Sequence, residues 1–201
     1  MKKALSKNDS LKVLLDFLLG ILYLASTLIG YLPAFPMRAY IHFAEWCCIT
    51  GLLGGIFYCI SAVCGLRKKM LSEVLHLNVT LMLILIFIAT VAIRLELEGA
   101  FWMLHLFGPL LVLLRFFLFC DCTKIKTPCR VFTSIAFPIG YILFSFCLRQ
   151  ATGECPFPAK LILMQPSPLI AVAVSADLCV LILLLAFGLL YVNRFFRKKL
   201  Q

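Results

Sequence analysis

The chain has few charged residues: 14% of its 201 residues are Asp, Glu, Lys or Arg, and only nine of these are acidic. About a quarter of the residues are charged in a typical soluble domain. This scarcity of charge, together with 63% hydrophobic residues, excludes a soluble globular protein. We predict an integral membrane protein of the all-α class, because backbone polar groups in lipid must be satisfied within each spanning segment.

The chain also lacks a tandem repeat and a long hydrophilic stretch, which argues against a separate soluble domain. Six apolar runs come close to the roughly 20 residues that a helix needs to cross a bilayer. The connections between most of them are short, which favours antiparallel neighbours in one bundle. The predicted architecture is a single transmembrane domain over residues 1–201, with helices at about 13–32, 46–66, 75–93, 101–119, 131–148 and 169–192.

Basic residues are concentrated on one side of this predicted bundle. If six helices alternate, one side carries 14 of the 19 basic residues: Lys2, Lys3, Lys7, Lys12, Arg67, Lys68, Lys69, Lys124, Lys126, Arg130, Arg194, Arg197, Lys198 and Lys199. The other side carries Arg38, Arg94, Arg149 and Lys160. This asymmetry predicts a multi-pass protein of the cell membrane with both termini in the cytoplasm. The net charge of +10 therefore reflects the orientation of the chain in the membrane. The basic residues can also attract anionic membrane lipid, and their distribution gives no reason to expect nucleic acid as a partner.

Cysteine spacing indicates neither a disulfide framework nor a metal site. Most of the ten cysteines lie in or beside the predicted helices, and Cys155 is the one placed clearly in an outer loop. Cys120, Cys122 and Cys129 lie close together without the paired C-x-x-C spacing of a zinc site. We therefore expect reduced thiols, no metal and no cofactor, and no feature of the chain points to a protein partner.

The segment from Arg149 to Pro168 is the longest predicted outer loop and is rich in proline. Proline removes a backbone donor and disrupts helices, so we predict no regular helix here. The apolar residues at 161–164 can dip into the membrane interface. This loop is a candidate cap for an outward-facing cavity.

Five of the polar residues inside predicted spans are candidates for a functional site, because ionisable groups at membrane depth usually mark one. Depth follows from the rise of about 1.5 Å per residue. Thr50 and His105 lie about one turn inside the outer ends of their helices, and Asp177 lies about 12 Å from the outer end of its own. Arg115 lies lower, near the level of Asp16, which predicts an intramembrane ion pair.

The upper three residues suggest hydrolytic chemistry. A hydroxyl needs an adjacent base to act as a nucleophile, an imidazole can be that base, and a carboxylate can orient the imidazole. Thr50, His105 and Asp177 would fill these roles in the hydrolysis of a lipid ester. The structural alternatives are that Thr50 bonds back to its own helix, that His105 links two helices, and that Arg115 extends towards the inner surface.

Four motifs, in order along the chain, resemble those of a known family: WCCIT at 46–50, HLFGPLL at 105–111, FPIGYIL at 137–143, and Thr152-Gly153 followed by Pro156-Phe157. The chain is similar to the bacterial Pr-six-Pr family of six-helix membrane proteins, related to the androgen-induced and FAR-type membrane threonine hydrolases. The resemblance covers the chain from the second helix to the sixth.

This resemblance implies that Thr50 is the nucleophile and His105 the general base, acting on fatty-acid esters of hydroxy fatty acids or similar lipids. It also marks four positions as binding residues: Pro109, Tyr141, Pro156 and Phe157. The chain departs from the family pattern at Arg115, where an acidic residue is usual, and at Cys155, where an aromatic is usual.

Two other functions fit the same residues. A small transporter or channel would use His105, Arg115 and Asp177 as a polar path, with helices kinked at Pro109 and Pro138. A non-catalytic scaffold or sensor would use the bundle only as a frame. The distance between Thr50 and His105 separates these hypotheses, because a hydrolase needs the two side chains within hydrogen-bonding reach.

Overall fold

The computed structural model describes residues 7–34, 39–69, 71–125 and 128–199, and within these ranges it is helical and contains no strand. Lys2, Lys3, Arg38 and Lys126, which belong to the charge pattern above, lie outside the described residues. The prediction of an all-helical chain is confirmed.

Eight α-helices follow one another along the described chain: α1 Lys7–Tyr31, α2 Ala39–Phe43, α3 Trp46–Leu66, α4 Glu73–Ile93, α5 Gly108–Phe119, α6 Ala136–Thr152, α7 Ala159–Leu163 and α8 Pro168–Lys199. A π-helical turn at Met103–Phe107 leads directly into α5, and a 3-10 segment at Pro128–Ile135 leads into α6. Several helices extend beyond the apolar runs that predicted them, because backbone hydrogen bonding continues past the hydrophobic stretch into the polar flanks.

Five helical segments are long and apolar enough to cross a membrane: Asn8–Tyr31, Trp46–Leu66, Glu73–Ile93, Cys129–Thr152 and Pro168–Lys199. The remaining predicted span corresponds to Met103–Phe119, which is apolar but shorter than these five. The long helices indicate a multi-pass membrane protein.

Local sequence explains where several helices start and stop. Ser72 precedes α4 in extended conformation, and its hydroxyl accepts a hydrogen bond from the Val74 N–H at 3.3 Å, which caps the first turn. Arg94 ends α4 in the left-handed conformation, and Gly153 ends α6 in the same way. Glycine adopts that conformation without steric cost, so the position after α6 is a favourable stop.

Close packing of α1 against α3 is the basis of the bundle. A Cβ atom on Gly20 would lie 2.5 Å from the Cys59 Sγ, and one on Gly55 would lie 2.7 Å from the Leu24 Cγ. Small residues of this kind let helix backbones approach each other in lipid, where van der Waals packing drives association. Helices α4 and α5 complete this core, and α8 packs on it beside the 3-10 segment Pro128–Ile135.

The two ends of the bundle differ in chemistry. One end, here called the basic end, contains the start of α1, the link from α3 to α4, the link from α5 to α6 and the end of α8, with Lys12, Arg67, Lys68, Lys69, Lys124, Arg130, Arg194 and Arg197. The opposite end, here called the cavity end, contains the end of α1, the starts of α3 and the π turn, the end of α4 and the loop after α6.

The prediction that the proline-rich segment Arg149 to Pro168 lacks a regular helix is wrong in two parts. Its beginning belongs to α6, which ends at Thr152, and its middle forms the short helix α7, Ala159–Leu163. The prolines lie on either side of α7, so none of them interrupts its hydrogen bonds. Ala159 and Ile162 of this helix are buried against the bundle, whereas Lys160 and Leu161 are exposed.

Arginine side chains attach the end of α8 to the link after α5. The Arg194 Nε and Nη2 donate hydrogen bonds to the carbonyl oxygens of Cys122 and Ile125 at 3.1 and 2.6 Å. The Arg197 Nε donates to the Cys120 carbonyl at 3.0 Å. The Cys120 carbonyl lies at the end of α5, where intrahelical donors are missing, and those of Cys122 and Ile125 belong to the 3-10 turn that follows.

The predicted Arg115–Asp16 ion pair is present and fully buried. The Arg115 Nε donates to the Asp16 Oδ1 at 2.7 Å, and the Arg115 Nη2 donates to the Asp16 Oδ2 at 3.0 Å. The Ser61 hydroxyl donates to the same carboxylate at 2.7 Å, and the Arg115 Nη1 contacts the Cys120 Sγ at 2.9 Å. These contacts join α1, α3 and α5, and they hold Arg115 inside the bundle rather than at its surface.

Replacing Asp16 by leucine leaves the buried guanidinium without its counter-ion. We expect a loss of about 3 to 5 kcal/mol in the free energy of unfolding, measured in detergent by circular dichroism. The double variant Asp16→Leu with Arg115→Met should recover most of this loss, because no unpaired charge remains. Ser61→Ala, which removes one hydrogen bond to the carboxylate, should cost only about 1 to 3 kcal/mol. Equal stability of Asp16→Leu and the parent protein would contradict a buried pair.

Candidate functional site

A cavity of about 480 Å³ opens at the cavity end of the bundle. Its walls are mainly apolar and include Ile86, Ala89, Leu95 and Phe101. Several polar side chains also reach it: Tyr31, His42, Glu45, Cys47, His105 and Lys160. An apolar pocket with a few convergent polar groups is the usual form of a small-molecule site.

The π turn before α5 positions His105. Pro109 has no backbone N–H, so the His105 carbonyl cannot receive the hydrogen bond that a regular helix would supply. The Gly108 N–H instead bonds to the Met103 carbonyl, five residues back, which widens the turn. A π turn inside a helix often accompanies a functional site, because it changes where the side chains point.

The hydrogen bonds of His105 define its tautomer. The Nδ1 atom lies 3.0 Å from the Phe101 carbonyl oxygen, which can only accept, so Nδ1 carries the proton. The Nε2 atom therefore carries a lone pair. It lies 3.3 Å from the Cys47 Sγ. A thiol and the basic nitrogen of an imidazole thus face each other in the wall of the cavity.

Cys47 is the second residue of α3. The first N–H groups of a helix lack intrahelical partners, and this end of the helix favours negative charge. Cys47 therefore lies beside both a helix N-terminus and an imidazole, and it borders the cavity.

Thr50, the predicted nucleophile, is fully buried, and its hydroxyl donates to the Trp46 carbonyl at 2.7 Å. No hydrogen bond between Thr50 and His105 occurs among the described residues, and Thr50 is not among the residues that line the cavity. The structure therefore shows the arrangement in which Thr50 bonds back to its own helix. His105 contacts Cys47, one turn earlier on α3, instead.

Asp177, the predicted orienting carboxylate, lies on an exposed face of α8 and does not line the cavity. The Phe101 carbonyl, four residues before His105 on the same helical segment, orients the imidazole. The expectation that Asp177 orients His105 is therefore not met by this structure. Arg115 and Asp16 also lie outside the cavity lining, because their polar groups bond to each other.

The other predicted binding residues support the cavity in different ways. Tyr141 packs edge-on against Trp46, and its hydroxyl donates to the Phe157 carbonyl at 2.8 Å. The Trp46 N–H donates to the same carbonyl at 3.0 Å, which fixes the loop over the start of α3. Phe157 lines the cavity, whereas Pro156 is buried beside it. Pro109 is buried in α5 and acts through the π turn.

Sequence reasoning missed a group of residues on the same wall. The Tyr31 hydroxyl donates to the Glu45 Oε2 at 3.1 Å, and the His42 Nδ1 lies 3.1 Å from the Glu45 Oε1. His42 and Glu45 are three residues apart, which is the spacing of side chains that contact each other on a helix. Cys47 lies where the sequence predicts the start of a helix. These signals do not distinguish Cys47 from the other nine cysteines of the chain, so the sequence alone does not indicate its contact with His105.

Among the residues described, no three or more His, Cys, Asp or Glu side chains form a group that could hold a metal ion. All ten cysteines are free thiols. Two of the side chains that line the cavity, the Cys47 thiol and the His105 imidazole, are in contact with each other.

No family model, curated protein or solved structure matches the chain. The resemblance to the Pr-six-Pr family therefore rests on the four sequence motifs, and the geometry of the site stands on its own.

The substitution Gly108→Ala tests the π turn. A Cβ atom there would lie 2.5 Å from the Met103 carbonyl oxygen and 2.8 Å from the Tyr23 hydroxyl, so backbone must shift. We expect the free energy of unfolding to fall by about 1 to 3 kcal/mol. Gly140→Ala in α6, where nothing lies within 4 Å of the new atom, is the matched control. It should be neutral or stabilising by up to about 1 kcal/mol, because alanine favours helix. Equal effects of the two substitutions would contradict the tight turn.

Proposed function

We propose that this protein is an intramembrane hydrolase of lipid esters, with Cys47 as the nucleophile and His105 as the general base. The contact of 3.3 Å between the Cys47 Sγ and the His105 Nε2, in the wall of an apolar cavity, carries this proposal. A nucleophile within hydrogen-bonding reach of a base that a third group orients is the common geometry of covalent hydrolases.

The reaction has two steps. In the first, the thiol proton passes to the His105 Nε2 while the Cys47 Sγ attacks the acyl carbonyl carbon, and the ester C–O bond breaks as Nε2 returns the proton to the leaving alcohol. In the second, Nε2 takes a proton from water, the hydroxide attacks the thioester, and the Cys47 sulfur leaves and is reprotonated. The products are one alcohol and one carboxylic acid.

Backbone groups at the start of α3 favour the charge that develops in this reaction. The tetrahedral intermediate carries negative charge on the former carbonyl oxygen. N–H groups in the first turn of a helix lack intrahelical partners and can donate to such an oxygen. The Trp46 N–H already donates to the Phe157 carbonyl, so the donors close to an acyl carbonyl at the Cys47 sulfur are the N–H groups of Cys47 and Cys48.

The setting of the cavity suits a substrate that comes from the lipid phase. Ile86, Leu95 and Phe101 offer an apolar wall for an acyl chain, and Lys160 and Glu45 offer polar groups at the same opening. In this proposal the chain has six spans, with Phe101–Phe119 as the fourth, and the basic end faces the cytoplasm of a cell membrane. The cavity then opens at the outer face.

This proposal keeps the reaction class that the family resemblance implies and assigns the nucleophile to a different residue. Thr50 donates its proton to a backbone carbonyl, whereas Cys47 faces the base. The transporter or channel hypothesis has less support, because Arg115 and Asp16 bond to each other outside the cavity that contains His105. The scaffold hypothesis does not account for the thiol and imidazole in contact.

A p-nitrophenyl ester of a medium-chain fatty acid tests the assignment on the purified protein in liposomes. We expect a covalent acyl adduct on Cys47, detected by peptide mass spectrometry and released by neutral hydroxylamine as a thioester. Cys47→Ala should abolish the adduct, and His105→Ala should slow its formation by about 10²- to 10⁴-fold, because it removes general-base catalysis.

The controls are two neighbouring residues. Cys48→Ala removes an adjacent buried thiol, and Thr50→Val removes the hydroxyl that the resemblance implicates; both variants should retain the adduct. Background from the loop should be low, because partial burial raises the pKa of Cys155 and leaves little of it as thiolate near pH 7. An adduct on Thr50, or one that persists in Cys47→Ala, would disprove the assignment.

A further inference from the structure

Asp177 is a carboxylate on the outside of a membrane-spanning helix. It lies nine residues after the start of α8, or about 14 Å along the helix axis. It is exposed, and no hydrogen bond or ion pair to it occurs among the described residues. The hydrocarbon core of a bilayer is about 30 Å thick, so a residue at this depth faces lipid rather than water. Intramembrane carboxylates normally face a partner.

The residues around Asp177 form one continuous exposed strip, here called the Asp177 face. It consists of positions spaced by three or four residues along α8: Ile170, Ala173, Asp177, Leu181 and Leu184. The opposite face of α8, with Ile182, Ala186 and Leu190, is buried against the bundle. A small residue one turn before Asp177 allows another helix to approach closely, as in many membrane interfaces.

Charge complementarity indicates what covers this face. A carboxylate in hydrocarbon is best compensated by a cation at the same depth. A second copy of this chain offers none at that depth from the described part of its bundle. Arg115 is buried and bonded to Asp16, and the Arg149 Nη1 donates to the Leu163 carbonyl near the cavity end. Arg94 and Lys160 are exposed, but they lie beyond the end of α4 and before the start of α8, not at the level of Asp177. A symmetric contact through the Asp177 face would bring two carboxylates together.

We propose that the Asp177 face is the docking surface for a membrane helix of a different protein, which carries a lysine or arginine at the depth of Asp177. The apolar residues of the face pack against that helix, and the carboxylate pairs with its cation. This inference is independent of the hydrolase proposal, because Asp177 is outside the cavity.

A synthetic helix tests the pairing. The probe is a leucine-alanine transmembrane peptide with one central lysine, labelled with an energy-transfer acceptor and reconstituted in phosphatidylcholine liposomes with the donor-labelled full-length protein. We expect it to bind about tenfold more tightly than the same peptide with leucine at the centre. Asp177→Leu should remove this difference, and Asp177→Glu should preserve it. Unfolding temperatures of both variants check that the bundle is intact.

Four results would overturn the proposal. The lysine and leucine peptides could bind equally well to the parent protein, or the lysine peptide could bind Asp177→Leu as well as it binds the parent. Self-association of the parent that disappears in Asp177→Leu would identify a second copy as the occupant. Rapid labelling of Asp177→Cys by a membrane-impermeant maleimide, assigned to position 177 rather than to Cys179 by fragmentation of the α8 peptide, would place the residue in water.

Discussion

The Arg115–Asp16 ion pair is the contact on which the arrangement of the bundle depends. It joins α1 to α5, and the Ser61 hydroxyl joins α3 to the same carboxylate. A bidentate pair between two buried side chains tolerates little sliding or rotation, so it sets the register of the three helices. Helices α1 and α3 contribute Tyr31 and Cys47 to the cavity, and the π turn that leads into α5 contributes His105. The position of the thiol relative to the imidazole therefore depends on an ion pair at the opposite end of the bundle.

The polar groups lie at two levels of the bundle: a lower level with Asp16 and Arg115, and an upper level with Cys47 and His105. The two levels differ in how completely the hydrogen-bonding groups are satisfied. At the lower level, both oxygens of Asp16 accept hydrogen bonds and Arg115 donates three, so these groups are stabilised in one arrangement. At the upper level, the His105 Nε2 retains a lone pair that faces a thiol. The first arrangement suits a structural role, and the second leaves a base and a nucleophile available at the opening of a cavity.

Much of the fold could be predicted from hydrophobicity alone. The six apolar segments, the concentration of basic residues at one end of the bundle and the depth of each polar residue follow from length, composition and the helical rise. The pairing of Arg115 with Asp16 also followed, because two opposite charges at one depth are costly apart. The proline-rich loop was only partly predictable, since its prolines bracket α7 instead of interrupting it.

The site itself was only half predictable. The depth of His105 in the predicted membrane span identified it as a functional candidate. Depth could not identify its partner on α3, because Cys47 and Thr50 lie at nearly the same level. Three residues correspond to about 300° of rotation in an α-helix, so the two side chains point roughly 60° apart. The π turn that Pro109 causes also changes the direction in which the His105 side chain points.

The sequence by itself determined the membrane class, the helices and the depth of the polar groups, because these depend on position along one axis. Only the tertiary structure decided which groups face each other. It directed Cys47 towards His105, turned the Thr50 hydroxyl back to its own helix and left Asp177 on an outer face. The physical reason is that rotation of each helix about its axis is set by packing against its neighbours, through Gly20, Gly55 and the Arg115–Asp16 pair.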